Sequence, residues 1–278
     1  MKVYDAPWEG IGSAGMQVCT EQSSAVNFHS GLDWFDSYLP CGLPTPSSIL
    51  ISGPSGTGKP YVGLSLAGAW LRQGGRVIFI PIHSSYRLLF ERGLGAISGL
   101  SLEEYTDSHF FILFDSDMDP HGQSVELDSG NSIRCNLVNP EAWREALELA
   151  ATAMEGEGPI LVFASALNLA LLSPSFGETF FSMLLDTIRD TRGWTYLLTI
   201  SSSILLKKAT ILEQAVDHLF RMERIPGDRG LYLRSVRIRG ADFRTSPIAL
   251  PVIPELLEDM KNEAVASRRI LIPKVSKI

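Results

Sequence analysis

The sequence is poor in cysteine and contains no C-x-x-C pair. Its three cysteines, Cys19, Cys41 and Cys135, are widely spaced and odd in number. Structural zinc sites and disulfide frameworks need closely spaced or paired cysteines, so we expect neither. The pattern is typical of a reducing compartment, and it predicts a cytoplasmic location.

The sequence also lacks an excess of positive charge. Its formal net charge of −7 over 278 residues argues against a surface devoted to nucleic acid or to anionic lipid. The segment RRILIPKVSKI, residues 268–278, differs because it carries Arg268, Arg269, Lys274 and Lys277 and no acidic residue. It could form a local basic patch, but we expect a solvated terminus.

Long apolar runs are missing as well. The longest, ILVFASALNLALL, is interrupted by Ser165 and Asn168, and it is shorter than the about 20 residues that span a bilayer. The first residues, MKVYDAPWEG, lack the apolar segment of a signal peptide. Apolar residues nevertheless make up 45% of the chain and charged residues 20%, so a folded core is expected and membrane association is not.

Short apolar runs alternate with helical patterns along most of the chain. The predicted strands are 47–52, 76–82, 109–114, 159–164 and 194–200. The predicted helices are 59–73, 85–92, 140–154, 176–191 and 254–267. The polar stretch 115–132 is predicted to be a loop, and IPGDRG (225–230) to be the turn of a hairpin. The alternation indicates an α/β fold with a mostly parallel sheet flanked by helices, and the hairpin adds antiparallel strands at its C-terminal edge.

Residues 53–60 read GPSGTGKP and follow the predicted strand 47–52. Except at its last position, this segment fits the phosphate-binding pattern G-x-x-x-x-G-K-[ST], and we call it the phosphate loop. Its glycines let the backbone present N–H groups to a polyphosphate, and the helix that follows adds a partial positive charge. The predicted nucleotide-binding residues are Gly53, Ser55, Gly56, Thr57, Gly58, Lys59, Pro60 and Tyr61.

Pro60 stands where this pattern has serine or threonine. Proline is tolerated in the first turn of a helix, so the fold should survive. The usual residue gives a hydroxyl to Mg²⁺ and an N–H to phosphate, and proline has neither. Phosphate binding is therefore expected to persist, while metal-assisted chemistry loses a ligand.

Three segments in the right order make the chain resemble the KaiC-like branch of the RecA superfamily of ATPases. The segment HSGLDWFDSYLPCGLPTPSS precedes the phosphate loop, DSDMDPHGQ (115–123) follows the third strand, and RIRG (237–240) lies near the end. The resemblance covers residues 28–253. It implies a RecA-like P-loop NTPase fold that binds ATP or ADP, an N-terminal extension over 1–27, and a C-terminal helix with a basic tail over 254–278.

The chain departs from this family at two further positions of the hydrolytic site. The family has an aspartate that helps to hold Mg²⁺ at the end of the Walker B strand, and this chain has Ala164. The family has acidic residues after the strand that follows the phosphate-loop helix, and this chain has His83, or Pro81 and Ile82 in a shifted register. His83 could act as a base, since the ordinary histidine pKa is about 6.5. Mg²⁺ binding is therefore doubtful.

Asp115 offers an alternative metal ligand, because FFILFD also has the form of a Walker B strand. The same segment places Asp115, Asp117, Asp119 and Glu126 at positions 1, 3, 5 and 12 of a calcium loop. Position 6 of that loop needs glycine and is Pro120 here, so calcium is not expected.

The resemblance also implies how chains would assemble. Family members place a basic pair across the subunit boundary, and Arg237 and Arg239 match that pair. The expected protein is a nucleotide-binding subunit with impaired or absent hydrolysis, in a homo-oligomeric ring or filament or in an assembly with an active paralogue. The alternatives are an active ATPase that uses His83 and Asp115, and a recombination-type DNA-binding paralogue, for which Lys207 and Lys208 offer little positive charge.

Overall fold

Buried strands and helices alternate in the computed structural model of the chain. It describes residues 26–81, 84–122, 125–128, 130–165, 167–203, 205–225, 227–228 and 230–278. The strands are β1 (Val26–Phe28), β2 (Leu43–Thr45), β3 (Ser48–Gly53), β4 (Arg76–Ile80), β5 (His109–Phe114), β6 (Val125–Leu127), β7 (Ser132–Cys135), β8 (Ile160–Ala164), β9 (Thr195–Ser201), β10 (His218–Glu223), β11 (Tyr232–Ile238) and β12 (Ile248–Ala249). The helices are α1 (Asp33–Asp36), α2 (Lys59–Arg72), α3 (Ser84–Ser98), α4 (Pro140–Ala153), α5 (Gly177–Arg189), α6 (Leu206–Ala215) and α7 (Pro254–Val275), with 3₁₀ helices at Leu102–Ser108 and Ala170–Leu172.

One large sheet organises the chain in the order β12-β11-β10-β3-β9-β8-β4-β5-β7-β6. The strands from β10 to β7 in this order are parallel. The contacts β10–β11, β11–β12 and β6–β7 are antiparallel. The predicted α/β class, with a mostly parallel sheet and antiparallel strands at its C-terminal edge, is confirmed.

Helices cover both faces of this sheet because successive side chains of each strand point to opposite sides. In β4, Val77 and Phe79 pack with α2 and α3. Ile78 and Ile80 of the same strand pack with α4, α5 and α6. The strands are thus buried on both faces, which explains why they read as continuous apolar runs rather than alternating ones.

Helix α7 passes from one helical layer to the other. Leu257 and Met260, near its start, pack with the α2 and α3 layer. Leu271 and Val275, near its end, pack with the α4 and α5 layer. Since the two layers lie on opposite faces, the helix crosses the edge of the sheet between them.

The interpretation of residues 268–278 as a solvated terminus is wrong. Helix α7 continues to Val275, with Pro273 inside it, and the side chains of Leu271 and Val275 are buried. Lys274 forms an ion pair of 2.6 Å with Asp117 in the loop after β5. Burial of two apolar residues and this ion pair hold the helical conformation beyond the point where the sequence pattern predicts its end.

Two further predictions need correction, and one pair of strands was not predicted. The segment 115–132 is not entirely a loop, because it contains β6 and the first residue of β7, which form the edge of the sheet. Strands β1 and β2 form a separate antiparallel ribbon that the sequence did not indicate. Cys135 is a buried free thiol, as expected, but Cys41 is disulfide-bonded, so the expectation of reduced cysteines is wrong for Cys41.

None of the helices in the described ranges combines the length and the apolar character needed to span a bilayer.

Candidate phosphate-binding site

The phosphate loop lies between β3 and α2, at the carboxyl end of an inner strand. Gly53 ends β3 with a φ of +145°, and a Cβ there would lie 2.7 Å from the backbone oxygen of Met222 in β10. Gly56 and Gly58 have φ values of +74° and +71°, in the left-handed region that favours glycine. The predicted strand–loop–helix arrangement of this segment is therefore confirmed.

The loop keeps backbone donors available. Among the described residues, the N–H groups of residues 55–58 have no backbone hydrogen-bond acceptor. The hydroxyl of Thr57 donates a hydrogen bond of 2.8 Å to the backbone oxygen of Pro54 and so stabilises the turn. Unpaired N–H groups at the start of a helix form an anion-binding concavity.

Lys59 is the first residue of α2, and its side chain folds back over the loop. Its Nζ donates to the backbone oxygens of Gly53 at 3.0 Å and Pro54 at 2.6 Å, and the residue is only 7% exposed. Burial and, secondarily, the positive charge of Arg268 lower the pKa of Lys59 from 10.5 to about 8. An anion in the loop would oppose both effects because it would stabilise the ammonium form.

This lowered pKa predicts a pH-dependent stability. Because the pKa of Lys59 is about 8 in the fold and 10.5 in the unfolded chain, the unfolded chain binds more protons between these values. The free energy of unfolding should therefore rise with pH across that window through Lys59, by roughly 1–3 kcal/mol. Urea titrations at pH 7.5 and pH 10 should show that Lys59→Met lacks this rise relative to the unmodified protein.

The exposed Lys207 provides the matched control for this measurement. Lys207→Met removes one positive charge from the surface and should keep the pH dependence of the unmodified protein. An identical pH dependence in Lys59→Met would contradict the argument.

The two positions expected to hold a metal offer no oxygen ligand. Pro60 is the second residue of α2, and Ala164 ends β8 with 0% exposure. No Asp or Glu lies among the described residues that line the cavity above the loop. The described part of the chain also contains no group of three His, Cys, Asp or Glu residues that could hold a metal. The donor set therefore does not fit Mg²⁺.

Polar side chains at or after the carboxyl ends of the neighbouring strands lie next to the phosphate loop and extend the site. The hydroxyls of Ser55 and Ser201 are 2.8 Å apart. The side-chain amide of Asn168 donates to the backbone oxygen of Ser201 at 3.1 Å and accepts from its N–H at 2.8 Å. Sequence analysis missed Asn168 and Ser201 as site residues. Their place at the carboxyl ends of β8 and β9 was the available signal, since ligands of open α/β sheets bind at that edge.

Helix α7 closes the site from above. The cavity between the helix and the loop measures ≈ 80 Å³. Helix α7 contributes Leu257, Met260, Lys261, Ala264, Ser267 and Arg268 to its walls. These residues recur at helical spacing, so they form one face of α7. A Cβ built on Gly58 would lie 3.1 Å from Cδ1 of Leu257, so the helix rests directly on the loop.

The other predicted site residues that the structure describes do not line this cavity, and they bind other parts of the chain. Tyr61 is buried in the core, and its hydroxyl donates to the backbone oxygen of Pro251 at 2.6 Å. Arg237 donates to the backbone oxygen of Val216 at 2.7 Å, just after α6, and Arg239 pairs with Asp217 at 3.0 Å. His83 falls outside the described residues.

Asp115 is not brought to the phosphate loop. It follows β5, which lies four strands from β3 in the sheet, or about 19 Å at the usual strand spacing. Its carboxylate pairs with Arg134 at 3.3 Å. Asp117, the next acid of the supposed calcium loop, pairs with Lys274. Both carboxylates thus have cationic partners from the chain itself.

Comparison with known proteins agrees with the architecture. No family model matches the chain, and no curated protein matches it. Among solved structures, a KaiC-like protein from the hyperthermophilic archaeon Pyrococcus horikoshii is similar, with a TM-score of 0.61 and 15% identity. The match covers 83% of this chain and 97% of that one. At this identity the likeness shows the fold alone, which is RecA-like.

Proposed function

We propose that this chain binds ATP or ADP at the phosphate loop and hydrolyses it poorly or not at all. One observation carries the proposal. The phosphate loop has a buried lysine and N–H groups that meet no backbone acceptor in the described part of the chain, while the side chains of Pro60 and Ala164 supply no oxygen to a metal. The N–H groups and the lysine support phosphate binding. Pro60 and Ala164 lack the groups that would bind a metal and stabilise phosphoryl transfer.

A protein with this chemistry would act through its bound state rather than through turnover. We propose a regulatory or assembly subunit, either in a homo-oligomer or beside an active paralogue. A role for Arg237 and Arg239 in a neighbouring chain's site would require them to leave Val216 and Asp217, their partners within the chain.

The rival functions gain little support from the geometry. An active ATPase that relies on Asp115 would have its carboxylate four strands from the loop and paired with Arg134. A DNA-binding surface at α6 would rely on two lysines, and Lys208 already contacts Glu178 at 3.0 Å. That leaves one lysine for phosphate contacts, which is too little for binding along a nucleic-acid backbone.

Binding of ATP should depend little on Mg²⁺. Calorimetric titration with ATP in EDTA and with ATP and Mg²⁺ should give dissociation constants that differ by less than about tenfold, or 1.4 kcal/mol. The physical reason is that neither Pro60 nor Ala164 offers a ligand to the metal. Lys59→Ala is the control and should abolish binding in both buffers. A larger gain from Mg²⁺ would contradict the proposed metal independence.

A further inference from the structure

Two cations of α7 face the phosphate loop. Lys261 and Arg268 line the cavity together with Lys59. Arg268 forms no ion pair with any described residue, and Lys261 pairs only with Glu258 of its own helix, at 3.5 Å. With no carboxylate among the described lining residues, the walls of this one cavity hold three cationic side chains, and the charge of Arg268 is felt at Lys59. Such an arrangement attracts a multivalent anion.

Two buried hydroxyls in the same cavity also lack partners. Ser165, after β8, is 4% exposed, and Ser267, on α7, is 3% exposed. The hydroxyl oxygens of both serines have no hydrogen-bond partner among the described residues, although both line the cavity. Buried hydroxyls are normally satisfied, so a polar ligand is expected between these two walls.

We propose that α7 is a phosphate clamp, in which Arg268 and Lys261 bind the polyphosphate of a nucleoside di- or triphosphate held by the phosphate loop. The clamp rests on the proposed function and deepens it. The guanidinium of Arg268 gives paired donors to phosphate oxygens, and Lys261 adds a second charge from about two helical turns away. Together they supply the positive charge that a metal ion would otherwise bring to the phosphates. Pro60 and Ala164 provide no ligand for such a metal.

The lining of the cavity fits this assignment. Lys59, Lys261 and Arg268 stand in its walls, and no acidic side chain lies among the described lining residues.

The neighbouring Arg269 makes a matched test possible, because it carries the same charge on α7 but is exposed. Binding of tripolyphosphate and of ATP is measured by calorimetry in EDTA for Arg268→Gln and Arg269→Gln. We expect Arg268→Gln to weaken both by at least about tenfold, as for a lost charged hydrogen bond. Arg269→Gln should stay within twofold of the unmodified protein, and Arg268→Lys should fall between them.

Each outcome decides between the clamp and the function it rests on. If the unmodified protein binds neither ATP nor tripolyphosphate, the proposed function fails. If it binds both, and Arg268→Gln and Arg269→Gln bind equally well, the clamp is overturned and the proposed function stands. Tighter binding by Arg268→Gln would also overturn the clamp, because α7 would then be a barrier to the ligand.

A second measurement needs no substitution and so does not depend on the folding of a variant. Tripolyphosphate bound under α7 should slow amide hydrogen exchange in residues 257–268. Unchanged exchange there at saturating tripolyphosphate, with protection confined to the phosphate loop, would overturn the clamp.

Discussion

The purified chain should release phosphate from ATP at less than about one turnover per minute, far below the roughly 1–100 per second of kinases. Three features produce this result. Pro60 has no hydroxyl for Mg²⁺, and Ala164 places a methyl group where the resembled family has a carboxylate. His83 stands where that family has an acidic residue that activates water, and loss of general-base assistance alone costs about 10²–10⁴-fold. The measurement is phosphate release with Lys59→Ala as the background.

Restoring the missing groups one at a time should recover little. All of them act on one transition state, so their effects are not additive. Pro60→Thr alone should remain inactive, whereas Pro60→Thr combined with Ala164→Asp and His83→Glu should give measurable turnover. Ala164 is fully buried, so Ala164→Asp alone should destabilise the protein by introducing an unpaired buried charge.

Turnover of the unmodified protein above about one per minute, abolished in Lys59→Ala, would contradict the inactive assignment. Asp115→Ala would then be the next variant to measure, because Asp115 is the remaining candidate for a metal ligand.

Gly63→Ala should destabilise the protein by about 2–3 kcal/mol, although alanine is the better helix former. A Cβ on Gly63, in α2, would lie 2.2 Å from Cζ of Phe163 in β8. Phe163 is fully buried and stacks on Phe90 with ring centroids 5.4 Å apart, so it has no room to move. Urea unfolding measures the loss.

Gly95→Ala is the matched control in a second helix. A Cβ there would meet only the backbone oxygen of Leu100, at 3.7 Å, which is ordinary contact. Its substitution should be neutral or stabilising by up to about 1 kcal/mol. Equal stabilities of Gly63→Ala and Gly95→Ala would show that α2 is not seated against β8 as described.

Local signals were sufficient for the central part of the molecule. Strand β5 was predicted with its observed bounds, and α2 was predicted one residue longer than it is. Both segments are long, apolar and bounded by breakers such as Gly74, which adopts a φ of +77°. In such segments the local preference and the tertiary environment favour the same structure.

Features that depend on distant contacts could not be predicted in this way. Pro273 signals the end of a helix, yet burial of Leu271 and Val275 keeps α7 helical around it. The strand β6 has three residues and forms only because β7 supplies its partner. The place of Arg268 in the site likewise follows from how α7 crosses the sheet, which no local pattern records.

The position of α7 has a kinetic consequence. Its buried side chains Leu256, Leu257 and Met260 fasten the helix next to the phosphate loop. Since Arg268 and Lys261 stand on the same helix, a ligand in the proposed clamp would leave only as its bonds to α7 break, and those bonds would in turn keep α7 docked. Ligands of different affinity would therefore differ mainly in residence time and much less in the rate of capture.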